Sequence, residues 1–197
     1  NIIISNVGDL DSELNYNIST APFSNIGGSD DYGNLWTDSN INQDYDFNWI
    51  DISDLGTVYY FPTNDQSGEE LAINFDFPFY GETYNSIRIN PNGWVGFNQD
   101  SDAWDNINIP SFNAPLSAIF GLWDDLNPIN DNCNSYCSGN VYTYGNSDYF
   151  VIWFDNVAHW WTNFEDSYYD FQIVLYRNGD IDINYNSIIG TYDATVG

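Results

Sequence analysis

Lysine is absent from this 197-residue chain, which sets two arginines, Arg88 and Arg177, against 29 acids. Without lysine no Lys–Asn isopeptide crosslink can form, so any covalent staple must come from cysteine. Cysteine is scarce too: Cys133 and Cys137, in "NCNSYC", are the two thiols and sit in an Asn/Ser loop. That setting predicts a short-loop disulfide made in an oxidising compartment. A single histidine, His159, leaves too few ligands for a zinc site. No apolar run reaches membrane-spanning length and no signal peptide or lipidation signal is present, so the chain reads as a mature exported product without membrane insertion. Also missing are an amphipathic helix, an HExxH motif, a Gly-rich phosphate loop and a Ser-His-Asp context, and the reading is therefore non-enzymatic. Carboxylate pairs of the glycosidase kind arise by chance among so many acids.

What remains is a strongly acidic, aromatic-rich chain. The net charge of -27 repels phosphate backbones and anionic headgroups, which argues against nucleic-acid and membrane-surface partners. Divalent cations are the natural counter-partner. Asp far outnumbers Glu, and its short arm suits backbone caps and hard-cation loops. Calcium is the expected ion, because the acids gather at strand ends; a solvated acidic surface from a saline habitat is the competing reading.

Apolar and aromatic residues alternate with period two in short runs separated by Gly, Asn, Asp and Pro, which predicts an all-β chain. In "SYYDFQIVLYRNGDIDINYN", Tyr169, Phe171, Ile173 and Leu175 share one face, and Ile181, Ile183 and Tyr185 share one after the turn. Asn178-Gly179 predicts a two-residue hairpin turn with positive φ at both positions. A second hairpin is read from "SIRINPNGWVGF", with Pro91 and Gly93 in the turn and Trp94 and Phe97 on the return. Further strands are expected at "GTVYYF", "ELAINFDF", "LSAIFGLW", "GNVYTY" and "DYFVIWFDN". Their number and spacing predict a two-sheet antiparallel β-sandwich, jelly-roll or Ig-like, over residues 45–197.

Residues 1–44 differ. "NIIISNVGDLDSELNYNIST" reads as a hairpin, with Ile2, Ile3 and Ile4 in one strand and Leu14, Tyr16 and Ile18 alternating in the next, followed by a Gly/Ser/Asp connector. A lone two-stranded ribbon is marginal in water and must pack on its own body or on another chain. At the other end "TYDATVG" stops within or just after a strand, which would leave a sheet edge open.

The blocks "FNWIDISDLGTVYYF", "FDFPFYGETYNSIRINPNGWVGF", "IPSFNAPLSAIFGLWDDLNP", "GNVYTYGNSDYFVIWFDNVAHW" and "FQIVLYRNGDIDINY" together resemble a bacterial secreted β-sandwich module, distantly similar to the nidogen-type extracellular domain. Such modules stand beside secreted proteases and cell-surface repeats. The opening "ISNVGDLDSELNYNIS" is similar to the closing strands of an immunoglobulin-like module, and relatives tend to continue past "ATVG" into one more strand. The resemblance implies an extracellular or cell-surface setting and a unit completed by a neighbour.

Three sets of site residues follow. In "GLWDDLNPIND", Asp124, Asp125, Asn127 and Asp131 offer oxygen ligands for a hard cation, against the alternative that the two Asp cap turns. In "NQDSDAWDN", Asn98, Asp100, Asp102 and Asp105 alternate like early positions of a calcium loop but lack its Gly and terminal Glu. In "NVAHWWTNF", His159, Trp160 and Trp161 form a candidate ligand platform for stacking on a glycan, against ordinary packing in an aromatic-rich chain. Taken together, the sequence predicts a structural subunit whose partners are other copies of itself, built head to tail by strand donation into a filament and stiffened by calcium. The alternative is a carbohydrate- or protein-binding adhesion module.

Overall fold

Within residues 45–197 period-two alternation produces strands where it predicts them, because each run can bury one face while its backbone is paired sideways. The structure, a computed structural model, describes residues 29–197 apart from positions 41, 43, 44, 46, 134, 136, 161–166, 191 and 192. The chain divides into two compact units, Asn1–Asp46 and Phe47–Gly197. The expected hairpin with Ile2, Ile3, Ile4, Leu14, Tyr16 and Ile18 lies outside the described residues, as does Trp161. In the described part of the first unit, the Asp30 carboxylate accepts the N–H groups of Tyr32, Gly33 and Asn34 at 3.0, 2.7 and 2.8 Å, so it is spent on a turn.

The second unit contains β1 (Thr57–Tyr59), β2 (Leu71–Phe79), β3 (Glu82–Asn90), β4 (Trp94–Gly96), β5 (Ala118–Phe120), β6 (Asn140–Gly145), β7 (Tyr149–Val157), β8 (Tyr168–Tyr176) and β9 (Ile181–Ile189). They form two antiparallel sheets, ordered β1-β6-β7-β8-β9 and β2-β3-β4-β5, and the all-β sandwich expectation holds. The inner faces meet in one core. Ile73, Phe75 and Phe77 of β2 and Ile87 and Ile89 of β3 face Ile152 and Phe154 of β7 and Phe171, Ile173 and Leu175 of β8. Phe154 and Phe171, cross-strand partners, stack with ring centroids 4.6 Å apart.

Two features depart from simple alternation. β8 is buried on both faces, because Ile52 joins Val151 and Val174 in a second cluster, with Ile50 and Trp153 packed against it. Ile50 is fixed there by reciprocal bonds to the Gln172 amide, N–H to Oε1 at 3.2 Å and Nε2 to the Ile50 carbonyl at 2.8 Å. The β8–β9 turn also corrects the sequence reading. It takes three residues, closed by Gly179 N–H to the Tyr176 carbonyl and Tyr176 N–H to the Asp180 carbonyl, both 2.9 Å. Gly179 alone of the pair has positive φ, at 96°; the extra residue lets Asn178 keep an ordinary φ and spend its side chain on Asp180.

At the end of the chain, residues 194–197 run antiparallel to the β5 end. Phe120 and Gly197 exchange backbone bonds at 2.7 and 3.0 Å, and Trp123 and Thr195 do so at 2.9 and 2.8 Å. This tail extends the four-stranded sheet by one short rung.

Candidate functional site

The acidic loop "WDDLN" is placed by the β3–β4 turn. Gly93, with φ at 82°, accepts the N–H groups of Gly121 and Leu122 on its carbonyl, and a Cβ there would stand 2.0 Å from the Leu122 oxygen. Glycine is therefore required by both conformation and space. The neighbouring asparagines do the fastening. Asn90, fully buried, donates its amide to the Asp65 and Ser101 carbonyls, both 2.9 Å, and to Ser67 Oγ at 3.1 Å. Its Oδ1 accepts the Asn92 N–H at 2.9 Å, and Asn92 Oδ1 in turn accepts the Leu126 N–H at 2.9 Å. One hairpin tip thus ties together the loops before β2, after β4 and after β5.

On this frame Asp124 is buried. Its Oδ1 accepts the Asp125 N–H at 2.9 Å and lies 3.4 Å from His159 Nε2. The histidine comes from the end of β7, where Leu126 and His159 form an isolated antiparallel bridge and Trp160 N–H reaches the Asp125 carbonyl at 2.7 Å. His159 Nδ1 sits 2.7 Å from the Trp160 carbonyl, which can only accept, so this nitrogen carries a proton. Burial pulls the imidazole pKa down, but the Asp124 hydrogen bond and charge, the Trp160 carbonyl and the Asp125 charge outweigh it, and the net shift is upward.

The pair leaves part of the loop unanswered. Among the described residues four buried side-chain atoms lack a hydrogen-bond partner: Asp124 Oδ2, Asn127 Oδ1, Asn127 Nδ2 and Asn92 Nδ2. All four belong to this one loop system, two of them oxygens and two of them amide donors. Beside them the half-buried Asp125 carboxyl is pushed up to about 7, by burial first and then by the charge of Asp65, with His159 opposing and Asp124 and Asp105 adding. Asp65 is raised as well, chiefly by burial, with the Asn92 amide countering and Asp102 adding.

The expected ligands separate into two groups. Asp124, Asp125 and Asn127 are brought together; Asp131 is exposed, its backbone N–H bonded to the Phe61 carbonyl at 3.0 Å. Asp100, Asp102 and Asp105 are exposed along the loop after β4, where Asp100 accepts from the Gln66 amide. No three acids, histidines or cysteines converge to hold a metal among the described residues. His159, expected to flank a ligand platform, is buried against Asp124, and Trp160 is half-buried. Cys133 and Cys137 form the expected disulfide. Asn90, Asn92 and Asp65 were not singled out from sequence: "NPNG" reads as a turn, and nothing local shows that its amides reach loops far along the chain.

Comparison with known families adds one finding to this geometry. A model described as NIDO related matches residues 35–197. The chain belongs to this nidogen-related family. No curated protein and no solved structure matches it. The nidogen-related match begins ten residues ahead of the sandwich range expected from sequence, 45–197, and it leaves Leu14, Tyr16 and Ile18 outside the matched residues. The family is one of non-catalytic modules of extracellular type. No helix among the described residues is long and apolar enough to cross a membrane.

Proposed function

We propose that the chain is a non-catalytic structural subunit of an extracellular assembly, joined to further copies of itself by strand donation and stiffened by calcium. The observation that carries the assembly reading is β9, a nine-residue strand at the edge of the five-stranded sheet with no strand beyond it among the described residues. Such an edge presents unpaired N–H and C=O groups to any extended segment, and adding a strand is a recurrent way of joining chains. Head-to-tail donation is a heterologous contact that repeats into an open filament.

Calcium has its own support. Asp124 Oδ2 and Asn127 Oδ1 are buried oxygens without partners, and Asp125 carries a carboxyl that its surroundings push toward neutrality. These three would hold the ion, with waters completing its shell and accepting from the orphaned Asn92 and Asn127 amides. Bound there, calcium would supply positive charge against the carboxyls of Asp124, Asp125 and Asp65. The expected result is a rise in melting temperature with millimolar calcium that Asp124→Asn and Asn127→Ala both abolish. An equal rise in all three proteins would move the ion elsewhere. Deleting residues 1–19 is expected to leave the sandwich folded, by its near-ultraviolet circular dichroism, and to end self-association; association unchanged by the deletion would refute strand donation.

A further inference from the structure

The two partner strands β8 and β9 are unequally covered on the face they share. On β8, Tyr169, Phe171, Ile173 and Leu175 are all essentially inaccessible. Their direct partners on β9 are Ile188, Tyr185, Ile183 and Ile181, which must point to the same side of the sheet. The bulge between Asp170 and Phe171 absorbs Asn186 and keeps Ile188 in phase with Tyr185. Yet Ile188 is 41% exposed and Tyr185 37%, while Ile181 and Ile183 are only half-buried. Tyr185 reaches the opposite sheet through its hydroxyl, 2.5 Å from the Gly121 carbonyl, so its ring spans the flank of the sandwich with one side open. Among the described residues the inner face of β9 is an apolar flank lacking a covering strand.

We infer that this flank, formed by Ile183, Tyr185 and Ile188 beside the outer edge of β9, receives the segment containing Leu14, Tyr16 and Ile18 of a second copy of the chain. The inference rests on the assembly reading above and gives it an address. Three features of the donor fit. Leu14, Tyr16 and Ile18 alternate, so in an extended strand they present one apolar face with three anchors, matching three part-covered acceptors. The segment lies outside residues 35–197, so the nidogen-related module does not count it among its own strands. The intervening connector, "SNIGGSDDYGN", is rich in Gly, Ser and Asp and can span to a neighbour. Backbone bonds along β9 would supply the affinity and the alternate side chains the register.

The test uses full-length chains. One preparation carries Leu14→Cys, Tyr16→Cys or Ile18→Cys, and the other carries Ile188→Cys; they are mixed under mild oxidation. A covalent dimer between the two preparations is expected for at least one of the donor positions. Alongside, Ile188→Asp is expected to abolish species larger than the monomer without moving the melting temperature by more than a degree or two, since Ile188 belongs to none of the core clusters of the described residues. In a third preparation carrying a donor cysteine and Ile188→Cys on the same chain, a crosslink that forms only within that chain, with none between the first two preparations, would show the segment folding back on its own body and would overturn the inference. So would wild-type assembly that Ile188→Asp leaves intact, and in that case self-association itself would stand. A wild-type chain that stays monomeric would instead remove the reading on which the inference rests.

Discussion

Asp124 and His159 show how a lone buried carboxylate is made tolerable in a chain with almost no bases. The imidazole is fixed by the Trp160 carbonyl on one side and offers its other nitrogen to Asp124 at 3.4 Å. A pH dependence follows. Asp125 is held at about 7 against an ordinary 3.8, so between roughly these values the folded chain binds more protons than the unfolded one, and stability falls as pH rises. His159 is raised above its ordinary 6.5, so its contribution is full below that value and is lost as pH rises through its folded pKa. Both groups act in the same direction. The urea midpoint of the calcium-free protein is expected to fall from pH 5 to pH 8, and Asp125→Asn to flatten most of the drop below pH 7; a rising profile would contradict the assignment. Asn90→Ala, which strands the partners of a fully buried amide, is expected to cost about 3 kcal/mol in urea unfolding. From the sequence, Asp124 and Asp125 could be recognised as needing an answer. That His159 supplies it could not, because the two meet through a bridge between residues 126 and 159 that no local pattern encodes.

At the level of strands and turns, the period-two signal located every strand of both sheets, since one buried face per strand is a strong local constraint. It said less about the outer face of the five-stranded sheet. Alternation describes a strand with one wet side, and β8 has none, because residues 47–52 approach over it and bring Ile50 and Ile52 into contact with the sheet. Nothing in "FNWIDIS" marks it as a cover, for it has too few residues to declare a partner. Ile52, 1% exposed, is accordingly expected to behave as a core residue: Ile52→Ala should cost about 3 kcal/mol by chemical denaturation, and a loss below about 0.5 kcal/mol would show that the cover is dispensable. The β8–β9 turn teaches a related lesson. An Asn-Gly pair announces a hairpin, but whether the loop takes two residues or three depends on the register of the strands it joins, here Leu175 opposite Ile181.

The whole molecule combines a nidogen-related sandwich, an N-terminal segment outside that module, a part-covered edge strand and a charge of -27. Copies carrying such a charge repel one another, so any association has to be supported by counterions as well as by apolar contact. On the proposed reading the acidic loop and the β9 edge are coupled: calcium at Asp124, Asp125 and Asn127 would both firm the loop and lower the repulsion that opposes strand addition. The most direct measurement is the size distribution of the full-length chain by light scattering, in millimolar calcium and again after chelation. The account predicts polymers in calcium that shrink on chelation and return when calcium is restored. A monomer under both conditions would contradict it.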